Sequence, residues 1–261
     1  MGTIDRILLV ADIEGSSGCW HRCDATFLSP HWARACLAMT RDIATVVEAL
    51  LRAGVGQIVV KDFHGSGYNL LPELIDSRAV VVSGYRRGPV PGIGSVGGIQ
   101  AAVFIGLHAA AGTDGFLAHT LSSRLRHLEV NARPLPEVEL FAGALAPYGV
   151  KPLFFSGDPL ACRQAVDAMP ALSTYSLEKG GRRHEFDPEK WRSGLARAAV
   201  KSLTAPTAAP YRPAGPFHAQ IEIRGGASAA AKLARRWHLA HRGACIRIEA
   251  PDLAALYLQL V

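Results

Sequence analysis

The chain has 261 residues, 49% hydrophobic and 19% charged, the composition of a folded globular protein rather than a disordered or low-complexity one. No window approaches the ~20 consecutive apolar residues of a membrane-spanning helix. The net charge of +6 comes with scattered bases, densest at Arg86-Arg87, Arg182-Arg183 and Arg235-Arg236, and no basic stripe interleaves with aromatics. Neither a nucleic-acid nor a membrane partner is therefore expected.

In chain order, "RILLVAD" reads as a strand and residues 31–53 as an amphipathic helix ending near Gly54. "GQIVVKD", "RAVVVSG" and "AAVFIGLHA" follow as three further strands. "PEVELFAGALAPYG" is a helix closed by Gly149, and "VKPLFFSGD" a strand whose Asp158 caps "PLACRQAVDAM", with Pro159 at its first position. "DPEKWRSGLARAAVKSL" begins in the same manner at Asp187-Pro188. Apolar strands separated by helices predict an α/β fold, a mainly parallel sheet sandwiched by helices. This catalytic α/β domain covers residues 1–204. Residues 205–216, with prolines at 206, 210, 213 and 216, read as a Pro/Ala linker. Residues 217–261 run strand, helix, strand, helix and predict a small C-terminal α+β domain.

Five cysteines (Cys19, Cys23, Cys36, Cys162, Cys245) at irregular spacing do not describe a disulfide framework. The C-x-x-x-C of Cys19 and Cys23 lacks the second pair of a zinc knuckle. With an acid before and after its short apolar run, the N-terminus lacks a signal-peptide cleavage pattern, and a cytoplasmic protein is expected.

The first strand stops at Asp12-x-Glu14. Side chains two apart in a strand face the same side, and the C-terminal strand edge is where open α/β sheets bind ligands. His64 follows the second strand in a Gly-rich turn, His108 the fourth, and His119 lies in "LAHTLSS". Each alone has a plainer reading: a helix-capping Asp, a solvated Glu, a hydrogen-bonded loop histidine. Their coincidence at converging strand ends points to one cleft, with N/O donors suited to Zn²⁺ and related divalent metals. Two carboxylates and two imidazoles exceed what one catalytic zinc takes from protein, so a carboxylate-bridged pair of metals is expected.

At these residues the chain resembles the zinc D-aminopeptidases of the dipeptide-operon type. "ADIEGSSG", "VKDFHGSGYNL", "GLHAAAGTDGFLAHT" and "RHLEVNARPLPEVEL" are similar to that family's D-x-E-G-x-S-G, N-D-x-H, G-x-H-A and S-H-S/T, followed by a strand, N-x-x-P and a glutamate. Order and approximate spacing match over residues 8 to about 160. The resemblance implies two Zn²⁺ per chain. Asp12 falls on the bridging position, Glu14, His64, His108 and Glu137 on the other ligand positions, and His119 on the residue that acts as nucleophile or general base. It further implies a ring-like homo-oligomer. Glu137 comes from the resemblance alone: Glu139 lies beside it, and an acid starting a helix is ordinarily a dipole partner.

The chain departs from the family at Pro136, Phe141 and Ala118, in the Gly-rich "PGIGSVGG" and in "LEKGGRRHEF". These departures bear on substrate preference more than on metal binding. The expected activity is removal of the N-terminal residue from short peptides or aminoacyl amides by metal-activated water with a histidine assisting. The alternatives are a metal-dependent amidase on a non-peptide or modified amino-acid amide, and a non-catalytic binding or assembly protein. A nucleotide-binding oxidoreductase is a further one, because Gly92-x-Gly94-x-x-Gly97 formally satisfies a dinucleotide fingerprint. That motif follows "RRGPVP" rather than a strand and lacks the acid about 20 residues on. His184, Arg182 and Arg183 are candidates to meet a substrate carboxylate.

Overall fold

The structure, a computed structural model, describes residues 4–180, 183–205 and 209–261. β1 (Arg6–Ala11), a short α1 (Arg22–Ala25), α2 (Trp32–Arg52), β2 (Gln57–Asp62), β3 (Val80–Val82) and β4 (Ala101–Leu107) come first. β5 (Leu125–Val130), β6 (Arg133–Pro134), α3 (Glu137–Leu145), β7 (Lys151–Gly157), α4 (Pro159–Ala168), β8 (Ser173–Ser176) and α5 (Pro188–Ser202) continue the chain. β9 (Phe217–Ile223), α6 (Gly226–Trp237), β10 (His241–Arg242), β11 (Cys245–Ala250) and α7 (Leu253–Leu260) complete it.

Six strands form a parallel sheet in the order β3-β2-β1-β4-β7-β8. Its centre is apolar on both faces because consecutive side chains alternate. Ile7, Leu9 and Ala11 of β1 join Met39, Ile43, Val46 and Val47 of α2 and Leu195 of α5 in one core. Leu8 and Val10 face the other core with Phe104, Phe141 and Leu145. Asp158 and Asp187 cap α4 and α5 as read from sequence: each side chain accepts two backbone amides beyond a proline at the first helical position. Gly149 closes α3 and its terminal turn at φ 77°.

A second, antiparallel sheet has the order β10-β11-β9-β5-β6. It joins residues 217–261 to the preceding chain. β9 pairs with β5 from Leu125↔Ile223 to Val130↔Ala219. Ile221, Ile246, Ile248 and Tyr257 share one core with Leu8, Val10 and Phe104. Residues 217–261 therefore share a hydrophobic core with the preceding chain; residues 206–208 of the expected linker lie outside the described residues. Tyr211 is tied back to Glu139 at 2.7 Å, and Arg212 donates to the Ala146 carbonyl at 2.7 Å. Gly143 of α3 lets α7 approach, since a Cβ there would meet that of Leu253 at 2.4 Å.

The Gly-rich segment is not a dinucleotide loop. The amides of Gly92 and Gly94 are spent on Arg86 and Val90 carbonyls at 2.8 and 2.7 Å. Val90, Ile93, Val96 and Ile99 are buried. No helix among the described residues is long and apolar enough to cross a membrane.

Candidate metal centre

Asp12 and Glu14 lie just beyond β1, His64 beyond β2 and His108 directly after β4, at the C-terminal ends of three adjacent strands. Two glycines press the tails of β1 and β4 together. Gly15 donates to the Gly106 carbonyl at 2.6 Å. A Cβ on Gly15 would meet the Leu107 carbonyl at 2.3 Å, and one on Gly106 (φ 80°) the Asp12 carbonyl at 2.2 Å. Only glycine permits both that approach and that φ. The turn bearing His64 is pinned by buried Asp62, which accepts the amides of Asn69 and Leu70 at 2.5 and 2.9 Å, while the Asn69 side chain donates to the His64 carbonyl at 2.6 Å.

His64 Nδ1 lies 3.1 Å from Asp12 Oδ1 and 3.0 Å from Glu14 Oε2. His108 Nε2 lies 3.5 Å from Asp12 Oδ2 and 3.6 Å from Glu137 Oε1. His119 Nε2 is 3.9 Å from Glu14 Oε1. Two groups of potential ligands result, Asp12–Glu14–His108 and His108–His119–Glu137, each with donor atoms within 4.8 Å of one another. The structure thus gathers all six residues. Glu137, at the start of α3, is brought in by tertiary packing, and its Oε1 also accepts the Leu121 amide at 2.6 Å. Glu139 faces away, taken by Arg133 and Tyr211. His119 sits between Leu117 and Leu121, whose φ of 50° and 58° mark a tightly held loop.

The far nitrogen of each ring tests whether a metal fits. His64 Nε2, His108 Nδ1 and His119 Nδ1 contact the carbonyls of Ala25, Ala109 and Leu117 at 2.8, 3.1 and 2.9 Å. A carbonyl oxygen only accepts, so each of these nitrogens carries a proton and the opposite nitrogen turns a lone pair toward carboxylates. His108 Nε2 is buried with no hydrogen-bond partner. Lone pairs facing carboxylates are held together only by an added proton or a cation. Donor atoms around a tetrahedral zinc with bonds of ~2.0–2.1 Å lie roughly 3.3 Å apart, close to the separations above. The donor set fits zinc, with second nitrogens anchored as metal-bound imidazoles require.

Electrostatics say the same. Burial and neighbouring Glu14 raise Asp12 to about 7. Burial opposes ionisation of Glu14, but His64 and its hydrogen bond hold that carboxyl well below its usual range. Against its own burial His64 is pushed up to about 12 by Glu14 and Asp12, and His108 to about 9 by Glu137 and Asp12. Burial and the neighbouring His108 push His119 down. Three buried acids create a demand for positive charge, and His119 is the imidazole that stays neutral.

One residue that sequence reasoning passed over ties the site together. Lys179 donates to the carbonyls of Ser16 and Cys19 at 2.5 and 2.7 Å, and its ammonium lies 5.2 and 5.1 Å from the Trp20 and Phe116 ring centres. It links the loop after Glu14 to the loop before His119, and burial lowers it to about 8. Its only sequence signal was a poorly matching "LEKGG". Trp20 is core, its indole donating to the Ser17 carbonyl at 2.9 Å. The five cysteines are free thiols, and Cys19 and Cys23 enter no ligand group among the described residues. His184 is exposed beside Glu185 at 3.6 Å; Arg182 and the side chain of Arg183 lie outside the described residues.

A cavity of about 330 Å³ opens over the centre, lined by Glu14, His64, Leu117, His119, Arg22 and Arg224 among others.

A parallel sheet with carboxylates and imidazoles gathered at its strand ends defines a metal-binding α/β protein. A family model described as D-aminopeptidase matches residues 6–260, and the chain belongs to that family of peptidase hydrolases. It is 28% identical over 204 residues to a D-aminopeptidase of Bacillus subtilis (strain 168), covering 76% of this chain and 68% of the relative. A solved structure from Bacillus subtilis, a Zn-dependent D-aminopeptidase described as a self-compartmentalizing protease, has the same fold. Its TM-score is 0.86 at 22% identity, over 98% of this chain and 95% of that one.

Proposed function

We propose that this chain is a di-zinc D-aminopeptidase that removes the N-terminal residue from short peptides or aminoacyl amides. Asp12, Glu14, His64, His108 and Glu137 would hold the metals, and His119 assists. The observation that carries this reading is the orientation of the imidazoles, above all the buried, unpartnered Nε2 of His108 between Asp12 and Glu137. Bound zinc supplies Lewis acidity toward the scissile carbonyl and lowers the pKa of water at the site.

The chain's own residues do the rest. Its Nδ1 proton committed to the Leu117 carbonyl, His119 offers the Nε2 lone pair to the cavity. It takes a proton from the attacking water and returns it to the departing amine. Burial and stacked His108 keep it neutral for the first of these tasks. Leu117 and Leu121 form an apolar wall of the cavity.

The free thiols favour a reducing compartment, the cytoplasm. A homo-oligomer, ring-like by family resemblance, is favoured by the description of the Bacillus subtilis protein. The exposure of Phe27, Leu28, Tyr68 and Tyr85, at 56%, 72%, 64% and 64%, agrees with it. Zinc quantitation on freshly purified protein, paired with hydrolysis of matched D- and L-aminoacyl amides, tests the activity. Two equivalents of zinc and preference for the D series are expected; protein without zinc, or zinc-loaded and inert toward both series, would overturn the reading.

A further inference from the structure

The mouth of the metal cavity carries positive charge that the proposed chemistry does not use. At the cavity's inner end lies Glu14, 4% exposed, with Asp12 and Glu137 packed behind it. At its solvent end the same cavity is lined by Arg22 and Arg224, both exposed. Among the described residues neither guanidinium is engaged in an ion pair or hydrogen bond. They come from distant parts of the chain. Arg22 opens α1, in the loop that continues from Glu14. Arg224 directly follows β9, where its amide donates to the Arg124 carbonyl at 2.8 Å. The β5–β9 pairing sets it beside the loop that carries His119.

With metal bound the floor carboxylates are neutralised, so the cavity's uncompensated charge is its basic mouth, which matches a ligand with a negative end outward. A short peptide with free termini is such a ligand: its ammonium goes in and its C-terminal carboxylate stays out. A dipeptide extends at most ~7 Å, and about 330 Å³ holds a ligand of di- or tripeptide size. Planar guanidinium groups suit bidentate carboxylate recognition.

We propose that Arg22 and Arg224 form a carboxylate site at the mouth of the metal cavity, selecting di- and tripeptides with a free C-terminus over amides and capped or longer peptides. The proposal rests on the aminopeptidase reading for the direction in which substrate enters.

Its test uses the zinc-loaded protein and two non-hydrolysable ligands, reduced-amide (CH₂–NH) D-dipeptide isosteres ending in a carboxylate or a carboxamide. By calorimetry the carboxylate is expected to bind the wild type about 10-fold more tightly, with an advantage that shrinks at high salt because the arginines are exposed. In the Arg22→Gln/Arg224→Gln protein, with fold checked by circular dichroism and zinc by metal analysis, the ratio should fall to near one. Equal affinities in the wild type, or a ratio that survives the double substitution, would overturn the proposal. Hydrolysis of the free D-dipeptide is measured in parallel. Selective binding without hydrolysis keeps the carboxylate site and removes the aminopeptidase reading, whereas hydrolysis without selectivity does the reverse.

Discussion

The imidazoles of His108 and His119 are stacked, centroids 3.8 Å apart and planes 14° apart, and their Nε2 atoms face different carboxylates. Two imidazolium ions stacked this closely repel each other. Positive charge at His108, whether a proton or a bound metal, pushes His119 toward its neutral form, which in the proposed function leaves one ring for ligation and the other for proton transfer.

From this division we expect His119→Ala to retain zinc and lose roughly 10²–10⁴-fold in kcat. Asp12→Ala should lose both metal and turnover. Metal analysis and rates on the two purified proteins decide the matter; a fully metallated but inactive Asp12→Ala protein would contradict the assignment of Asp12.

Zinc uptake should release protons. In the metal-free protein His64 and His108 are raised to about 12 and about 9, so both are protonated at neutral pH and must give up those protons to ligate. Protonation competes with metal, so affinity falls as pH falls. Calorimetric titration with zinc at neutral pH in two buffers of different ionisation enthalpy should show a buffer-dependent heat from proton release. A heat independent of buffer speaks against imidazolium ions occupying the metal-free site.

Gly106→Ala should cost at least ~2 kcal/mol and reduce zinc binding, because it combines a left-handed φ with a collision against the Asp12 carbonyl. Gly149→Ala has a similar φ of 77° and nothing within 4 Å of its Cβ, so it should cost only ~1 kcal/mol and leave zinc content intact. Urea denaturation and metal analysis of both variants separate conformational strain from the clash.

Away from the metals, Arg192 Nε donates to fully buried Asp42 at 2.7 Å, and Asp42 in turn accepts the amide and hydroxyl of Ser17. Burial raises Asp42 despite these partners. Arg192→Met strands that carboxyl and should destabilise the protein by about 3–5 kcal/mol, read by chemical denaturation. Near-wild-type stability would mean that Asp42 is neutral in the fold.

Most elements of the fold were legible locally. Continuous apolar runs mark β1, β2, β4 and β7, helical spacing marks α2 and α5, and Asp158-Pro159 and Asp187-Pro188 announce two helix starts. Strand β8 escaped because "STYS" is short and polar, and β5 was legible only through the family resemblance because "LRHLEV" alternates with charged residues. Asp12, Glu14, His64 and His108 were readable because strand-end chemistry depends on neighbours in sequence. Glu137 and Glu139 could not be told apart that way. Both start the same helix, and only packing turns Glu137 to His108 while Arg133 and Tyr211 claim Glu139.

By itself the sequence determined which residues alternate, which cap and which stand at the ends of strands. Periodicity encodes the apolar face of an element but not the element that face will meet. The tertiary structure alone decided that β2, β1 and β4 lie side by side, that residues 217–261 close over β5, and that Arg224 reaches the cavity of Glu14. Burial then set the charge each carboxylate and imidazole carries, since that depends on neighbours far away along the chain.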